Sequence, residues 1–193
     1  MATLSLPVQT LTPSAFAPYG TVLGSPPANA ELAFSNAATD FWHAHFFNAG
    51  KDGNPEVLWV NYRNNDGIIN ALEVHWLTEQ AIVPLGAECI IHVVALSDET
   101  GAQPDLSTLR AFAVPAGYGV CMRPGCWHTT QVRAQEVSCI MLTRSSTTAD
   151  LIPLLKFNAA ATESSLVPLP TTYKLETPEV QPSQHQVGAL SGG

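Results

Sequence analysis

A mainly β fold, a small barrel or sandwich, is what this 193-residue sequence predicts, and three observations carry the prediction. Between Val57 and Leu142, short runs rich in β-branched and aromatic residues follow one another, separated by Gly, Pro, Asn and Asp clusters. These runs do not alternate with helical patterns, which sets aside a doubly wound α/β fold. The apolar fraction of 46% against 12% charged residues is enough to fill the core of one domain of this length.

The elements follow in order. Thr12 is placed to cap a short helix with Pro13 at its first position, running to about Tyr19 and stopped by Gly20. Residues 25–38, rich in Pro, Ala and Asn, read as a loop. The run FWHAHFF over 41–47 reads as a strand with Phe41, His43, His45 and Phe47 on one face, because side chains alternate along a strand. A turn cluster at 51–55 leads into a strand over 57–62, which Asn64-Asn65-Asp66-Gly67 ends. Further strands are expected over 71–76, 80–83, 89–96, 109–114, 120–122, 128–132 and 137–142, and a short helix over 150–157. From about Asn158 the composition shifts to Ala, Thr, Ser, Pro and Gln. The chain therefore divides into a barrel domain, 1–157, and a Ser/Thr/Pro-rich extension, 158–193. Tyr173 and Leu175 are expected to dock on the barrel, and 178–193 to be a disordered tail.

Composition narrows the function classes. A net charge of −8 with only three lysines argues against nucleic acid, which demands clustered basic residues. No apolar run approaches the roughly 20 residues needed to cross a bilayer, so no membrane partner is expected. The first residues lack a basic stretch followed by a continuous apolar one, so no signal peptide is read. The four cysteines have no CxxC spacing and read as buried thiols, consistent with a reducing, cytoplasmic setting.

Two segments supply the chemistry. Glu73 and His75 lie two apart in one expected strand and so share a face; Gln80 follows. In RPGCWHTTQV (123–132) a Pro-Gly turn delivers His128 into the next strand. Two histidines, a glutamate and a glutamine suit a first-row transition metal with open positions. Glutamate is depleted in strands and almost never buried unpaired, so Glu73 calls for a reason. His43-Ala44-His45 is a rival ligand pair, but its segment supplies no third ligand; an aromatic wall with a substrate-facing His43 is the better reading. His92, inside IIHVVAL, reads as bonded within the core, and Cys126 as a packed thiol.

The spacing Glu-x-His-x4-Gln, then Pro-Gly-x-x-His, resembles the two cupin motifs, which usually read His-x-His-x3-4-Glu and Pro-x-Gly-x-x-His. Glu73 stands at the first histidine and Gln80 at the glutamate. Longer stretches resemble the ureidoglycolate lyase family over about 11–142: FAPYGTV at 16–22, Arg63, LEVHWLTEQAIVPL at 72–85, VVALSDETGAQPDLSTLRAF at 93–112 and GVCMRPGCWH at 119–128. The resemblance implies a cupin-type double-stranded β-helix (jelly-roll barrel) and a homodimer that splits (S)-ureidoglycolate into glyoxylate and urea in allantoin breakdown. It implies catalytic roles for Glu73, His75 and His128, and substrate contacts from Arg63, a carboxylate clamp, and from Gln80. Glu73, His75, Gln80 and His128 would hold one divalent transition metal (nickel, zinc, manganese or iron), if one is bound. The sequence departs from the family pattern at Trp76, where proline is usual, at Glu79, at Thr129-Thr130 and at Ser138. Two other readings stay open: a divergent cupin isomerase, lyase or metal-dependent oxygenase acting on another small hydroxy or keto acid, and a barrel that binds a small molecule without turnover.

Overall fold

The structure, a computed structural model, describes residues 3–24 and 34–176. The expected 178–193 tail and residues 25–33 of the expected loop lie outside them. Fourteen strands and two helices run in the order β1 (Thr3–Leu6), β2 (Val8–Thr10), α1 (Pro13–Phe16), β3 (Gly20–Leu23), β4 (Phe34–Ser35), β5 (Asp40–Phe41), β6 (Pro55–Tyr62), β7 (Ile68–His75), β8 (Gln80–Pro84), β9 (Ile90–Ser97), β10 (Pro104–Val114), β11 (Gly119–Met122), β12 (Trp127–Val132), β13 (Val137–Arg144), α2 (Ser145–Phe157) and β14 (Ser164–Leu175). The fold is mainly β, as expected. A seven-stranded sheet, ordered β1-β14-β7-β12-β9-β10-β2, faces a five-stranded sheet, ordered β3-β11-β8-β13-β6.

Residue alternation on β9 defines the interior. Ile90 and Val94 join a buried cluster that also holds Ile82, Val120, Cys139 and Met141 from the small sheet, so this cluster fills the space between the sheets. Ile91, Val93 and Ala95 join a second cluster on the opposite face of the large sheet, with Leu72, Val74 and Trp127. Burial on both faces explains why β9 reads as a continuous apolar run rather than an alternating one. Phe16, at the end of α1, closes one side of the interior by packing edge-on against Phe112 at 5.5 Å.

The sequence placed α1 correctly but made it too long. The Thr12 hydroxyl accepts the Ala15 N–H as foreseen, yet the helix is a single turn and Gly20 opens β3. The FWHAHFF strand is not formed: only Asp40–Phe41 pairs, with Phe34–Ser35, and residues 42–54 are irregular. Alternating aromatics gave the pattern of a strand without supplying a neighbour to pair with. α2 begins at Ser145 rather than Asp150, because the Ser146 and Thr147 hydroxyls both reach the Glu163 carboxylate and fasten the first turn.

The compositional change near Asn158 is not where the sheet ends. β14 runs twelve residues between β1 and β7, parallel to the first and antiparallel to the second. Its ladder with β7 is interrupted between Pro168 and Tyr173. That is where prolines, which cannot donate to a ladder, are tolerated. Tyr173 and Leu175 pack with the second cluster.

Candidate active site

Strand register builds the site row by row, since residues directly opposite one another share a face. Glu73 on β7 is the partner of His128 on β12, and His128 is the partner of Val94 on β9. Val94 faces the interior, so all three do. One row along, His75 lies opposite Ser164 of β14, and its Nδ1 is 3.1 Å from the Ser164 hydroxyl. On the other side, Thr130 lies opposite His92, whose Nδ1 is 3.1 Å from the Thr130 hydroxyl. His128 stands between the other two histidines, its ring centroid 5.2 Å from that of His75 and 5.7 Å from that of His92.

The proton on His128 is fixed by its neighbour. Nδ1 is 3.0 Å from the Cys126 carbonyl oxygen, which can only accept, so Nδ1 carries a hydrogen. The free Nε2 then points its lone pair toward Glu73 Oε1, 3.2 Å away, without a hydrogen-bond partner of its own. Two lone pairs at that distance call for a proton or a cation between them. His75 Nε2 is likewise buried and without a partner. Burial, reinforced by the His128 charge, pulls the His75 pKa down to about 4, so His75 is neutral at neutral pH. Burial likewise pulls His92 down to about 3. Burial alone would raise the Glu73 carboxyl, but the His128 contact and the surrounding histidines outweigh it and hold it below its ordinary value.

Oxygen and nitrogen atoms of Glu73, His75 and His128 all lie within 4.8 Å of one another. With two buried, unpartnered Nε2 atoms and one carboxylate, this donor set fits a first-row divalent metal with open positions.

A cavity of about 670 Å³ opens beside this cluster, lined among others by Tyr62, Arg63, Glu73, Gln80, His128 and Thr129. Gln80 is buried opposite Met122 on the small sheet, and the Met122 sulfur is 2.9 Å from His92 Nε2, so the two sheets meet across the site. Arg63 sits on the rim, two-thirds exposed and 2.6 Å from Glu136. His43 lies outside this lining and packs instead against Phe46, the two rings tilted with centroids 3.6 Å apart. Trp76 packs edge-on against Trp127 at 5.6 Å rather than lining the cavity, whereas Thr129 does line it. Sequence reasoning left out Tyr62, Thr130 and Ser164. Strand parity was a signal for Tyr62 and Thr130, since both alternate with outward residues; nothing marked Ser164, because β14 itself was not foreseen.

The model of the family described as ureidoglycolate lyase matches residues 3–154. The chain belongs to the ureidoglycolate lyase family. It is 43% identical over 61 residues to the ureidoglycolate lyase of Salmonella paratyphi B, covering 32% of this chain and 36% of that one. It is 41% identical over 70 residues to that of Escherichia coli O1:K1 / APEC, covering 36% and 42% respectively. The matched segments thus span less than half of either relative. Among solved structures, RmlC from Streptococcus suis superposes with a TM-score of 0.40 at 11% identity, over 64% of this chain and 70% of that one. Oxalate decarboxylase from Lactobacillus farciminis gives 0.33 at 14% identity, over 60% and 38%. Among the described residues no helix is long and apolar enough to cross a membrane.

Proposed function

We propose that this protein is a carbon–nitrogen lyase that splits (S)-ureidoglycolate into glyoxylate and urea, acting as a homodimer in allantoin breakdown. Membership of the family supports the substrate; the observation that carries the chemistry is Glu73 Oε1 facing His128 Nε2 at 3.2 Å on the wall of a cavity. Ureidoglycolate bears a hydroxyl, a carboxylate and a urea nitrogen on one carbon. Glu73, ionised and a quarter exposed, takes the hydroxyl proton. The O–H electrons form the new carbonyl, the carbon–nitrogen bond breaks, and its electron pair stays on nitrogen. His128, protonated at Nε2, gives that nitrogen its proton, so glyoxylate and neutral urea leave. The proton left on Glu73 returns to His128 across the 3.2 Å contact, resetting the pair. Arg63, on the cavity rim, holds the substrate carboxylate by its planar fork, and Gln80 meets the ureido amide. As the alternative to the proton on His128, a divalent metal held by Glu73, His75 and His128, with Gln80 beside them, would take its place between Glu73 and His128 and polarise the hydroxyl and carboxylate oxygens instead.

The test is glyoxylate release from ureidoglycolate by the purified protein, with and without chelator, beside His128→Ala. Turnover lost in the variant is expected, and the chelator arm decides whether a metal takes part. No turnover with any added divalent metal would overturn the lyase reading and leave a changed substrate or a binding barrel.

A further inference from the structure

Outside the candidate active site a second trio of ligand-type side chains converges. Glu79 Oε2 is 2.9 Å from His45 Nε2 and 3.8 Å from the Cys121 sulfur. All three ligand atoms lie within 4.8 Å of one another. The trio is behind the small sheet. Gln80 and Met122 are cross-strand partners that face the interior, so Cys121, the next residue back on β11, faces out. Glu79 precedes Gln80 and turns to the same outer side. There the irregular segment after β5 covers the sheet and brings His45 across.

The segment is seated closely. The Glu79 N–H donates to the Asn48 carbonyl at 3.0 Å, and the Asn48 N–H donates to the Glu79 carboxylate at 2.8 Å. At Gly50, with φ +79°, a Cβ would fall 1.9 Å from the Leu77 carbonyl oxygen, so only glycine lets the chain lie this near. The carboxylate is therefore aimed before any ligand arrives. Cys121 is 2% exposed, whereas His45 and Glu79 keep 25% and 17% of their side-chain surface, which leaves an entry path. The sequence offered His43 and His45 as a pair. The structure parts them, and the missing ligands for His45 come from two other strands' ends.

We propose that His45 Nε2, a Glu79 carboxylate oxygen and the Cys121 sulfur bind one thiophilic divalent cation of the zinc class, with water in the fourth position. Nitrogen, oxygen and sulfur donors at these separations suit zinc and its neighbours and disfavour magnesium or calcium. On binding, the Cys121 thiol releases its proton to solvent, and thiolate and carboxylate together neutralise the cation. The site tethers the 45–50 segment to the start of β8, directly behind Gln80. It stands whether or not the lyase reading holds.

The experiment uses full-length protein stripped with chelator and titrated with cobalt(II), a spectroscopic substitute for zinc. The expected result is a near-ultraviolet thiolate-to-cobalt charge-transfer band that rises to saturation as cobalt is added and is erased by added zinc. The Glu73, His75 and His128 cluster contains no sulfur ligand, so cobalt bound there gives no such band. Cys121→Ser is expected to remove the band, and His45→Gln, at a partly exposed position, to keep it but weaken cobalt binding at least about tenfold. No band in the unsubstituted protein, a band that survives Cys121→Ser, or unchanged cobalt affinity in His45→Gln would each overturn the proposal.

Discussion

Strand β8 starts between two clusters of ligand-type side chains that are built in different ways. Every member of the inner cluster, Glu73, His75 and His128, sits on a regular strand, and ladder register alone places the facing pairs. The outer cluster takes Cys121 from a strand but His45 from an irregular segment, held at Asn48 by one bond to the Glu79 backbone and one to its carboxylate. The inner site is positioned by the fold itself. The outer one depends on a few local contacts and on one glycine. The first should therefore lose function without losing geometry when a side chain is changed, and the second should lose geometry when its backbone is disturbed.

The largest expected effect is at the inner pair. His128→Asn, which keeps a polar group near the Cys126 carbonyl but cannot shuttle a proton, should lower kcat for glyoxylate release about a thousandfold with the melting temperature little changed. A drop in melting temperature that accounts for the lost activity would mean the histidine is structural. Next is the outer segment: Gly50→Ala forces the chain off Leu77 and should cost about 1–3 kcal/mol of stability by urea denaturation. A neutral result would show that the segment is not seated as described. At the rim, Arg63→Ala should raise KM about tenfold with kcat nearly unchanged, the pattern of lost uniform binding. Glu136→Gln, by freeing Arg63 from its 2.6 Å partner, should lower KM a few-fold. If Glu136→Gln raises KM instead, Arg63 is not the clamp.

Legibility followed the same division. The spacing of Glu73, His75 and His128 reported the inner cluster because a period of two converts sequence distance directly into a shared face. Continuous apolar runs such as β9 were legible for a different reason, their shortness and β-branched content. β14 was not, because prolines and an interrupted ladder hide its pattern. The 41–47 run misled in the opposite sense, since strand-like alternation does not guarantee a neighbouring strand. Nothing local to His45 points to Glu79 or Cys121: they meet only because β8 and β11 are adjacent, which is a property of topology rather than of any window of sequence.

The buried histidines also make stability depend on pH. His75 and His92 refuse protons until about pH 4 and about pH 3, whereas their ordinary value is 6.5. The unfolded chain therefore binds more protons than the folded one below that value. Stability should be complete above about pH 6.5 and fall as the pH drops from there toward 4. Urea midpoints measured in chelator across that range check the sign; a flat profile would place both histidines in contact with solvent.

The most direct test of the central claim, that Glu73 and His128 form the reacting pair, is the pH dependence of kcat/KM for Glu73→Gln beside the unsubstituted enzyme. With Glu73 as the base, the acid limb of the wild-type profile should vanish in the variant. An acid limb that survives unchanged in Glu73→Gln would remove Glu73 as the base and contradict the account.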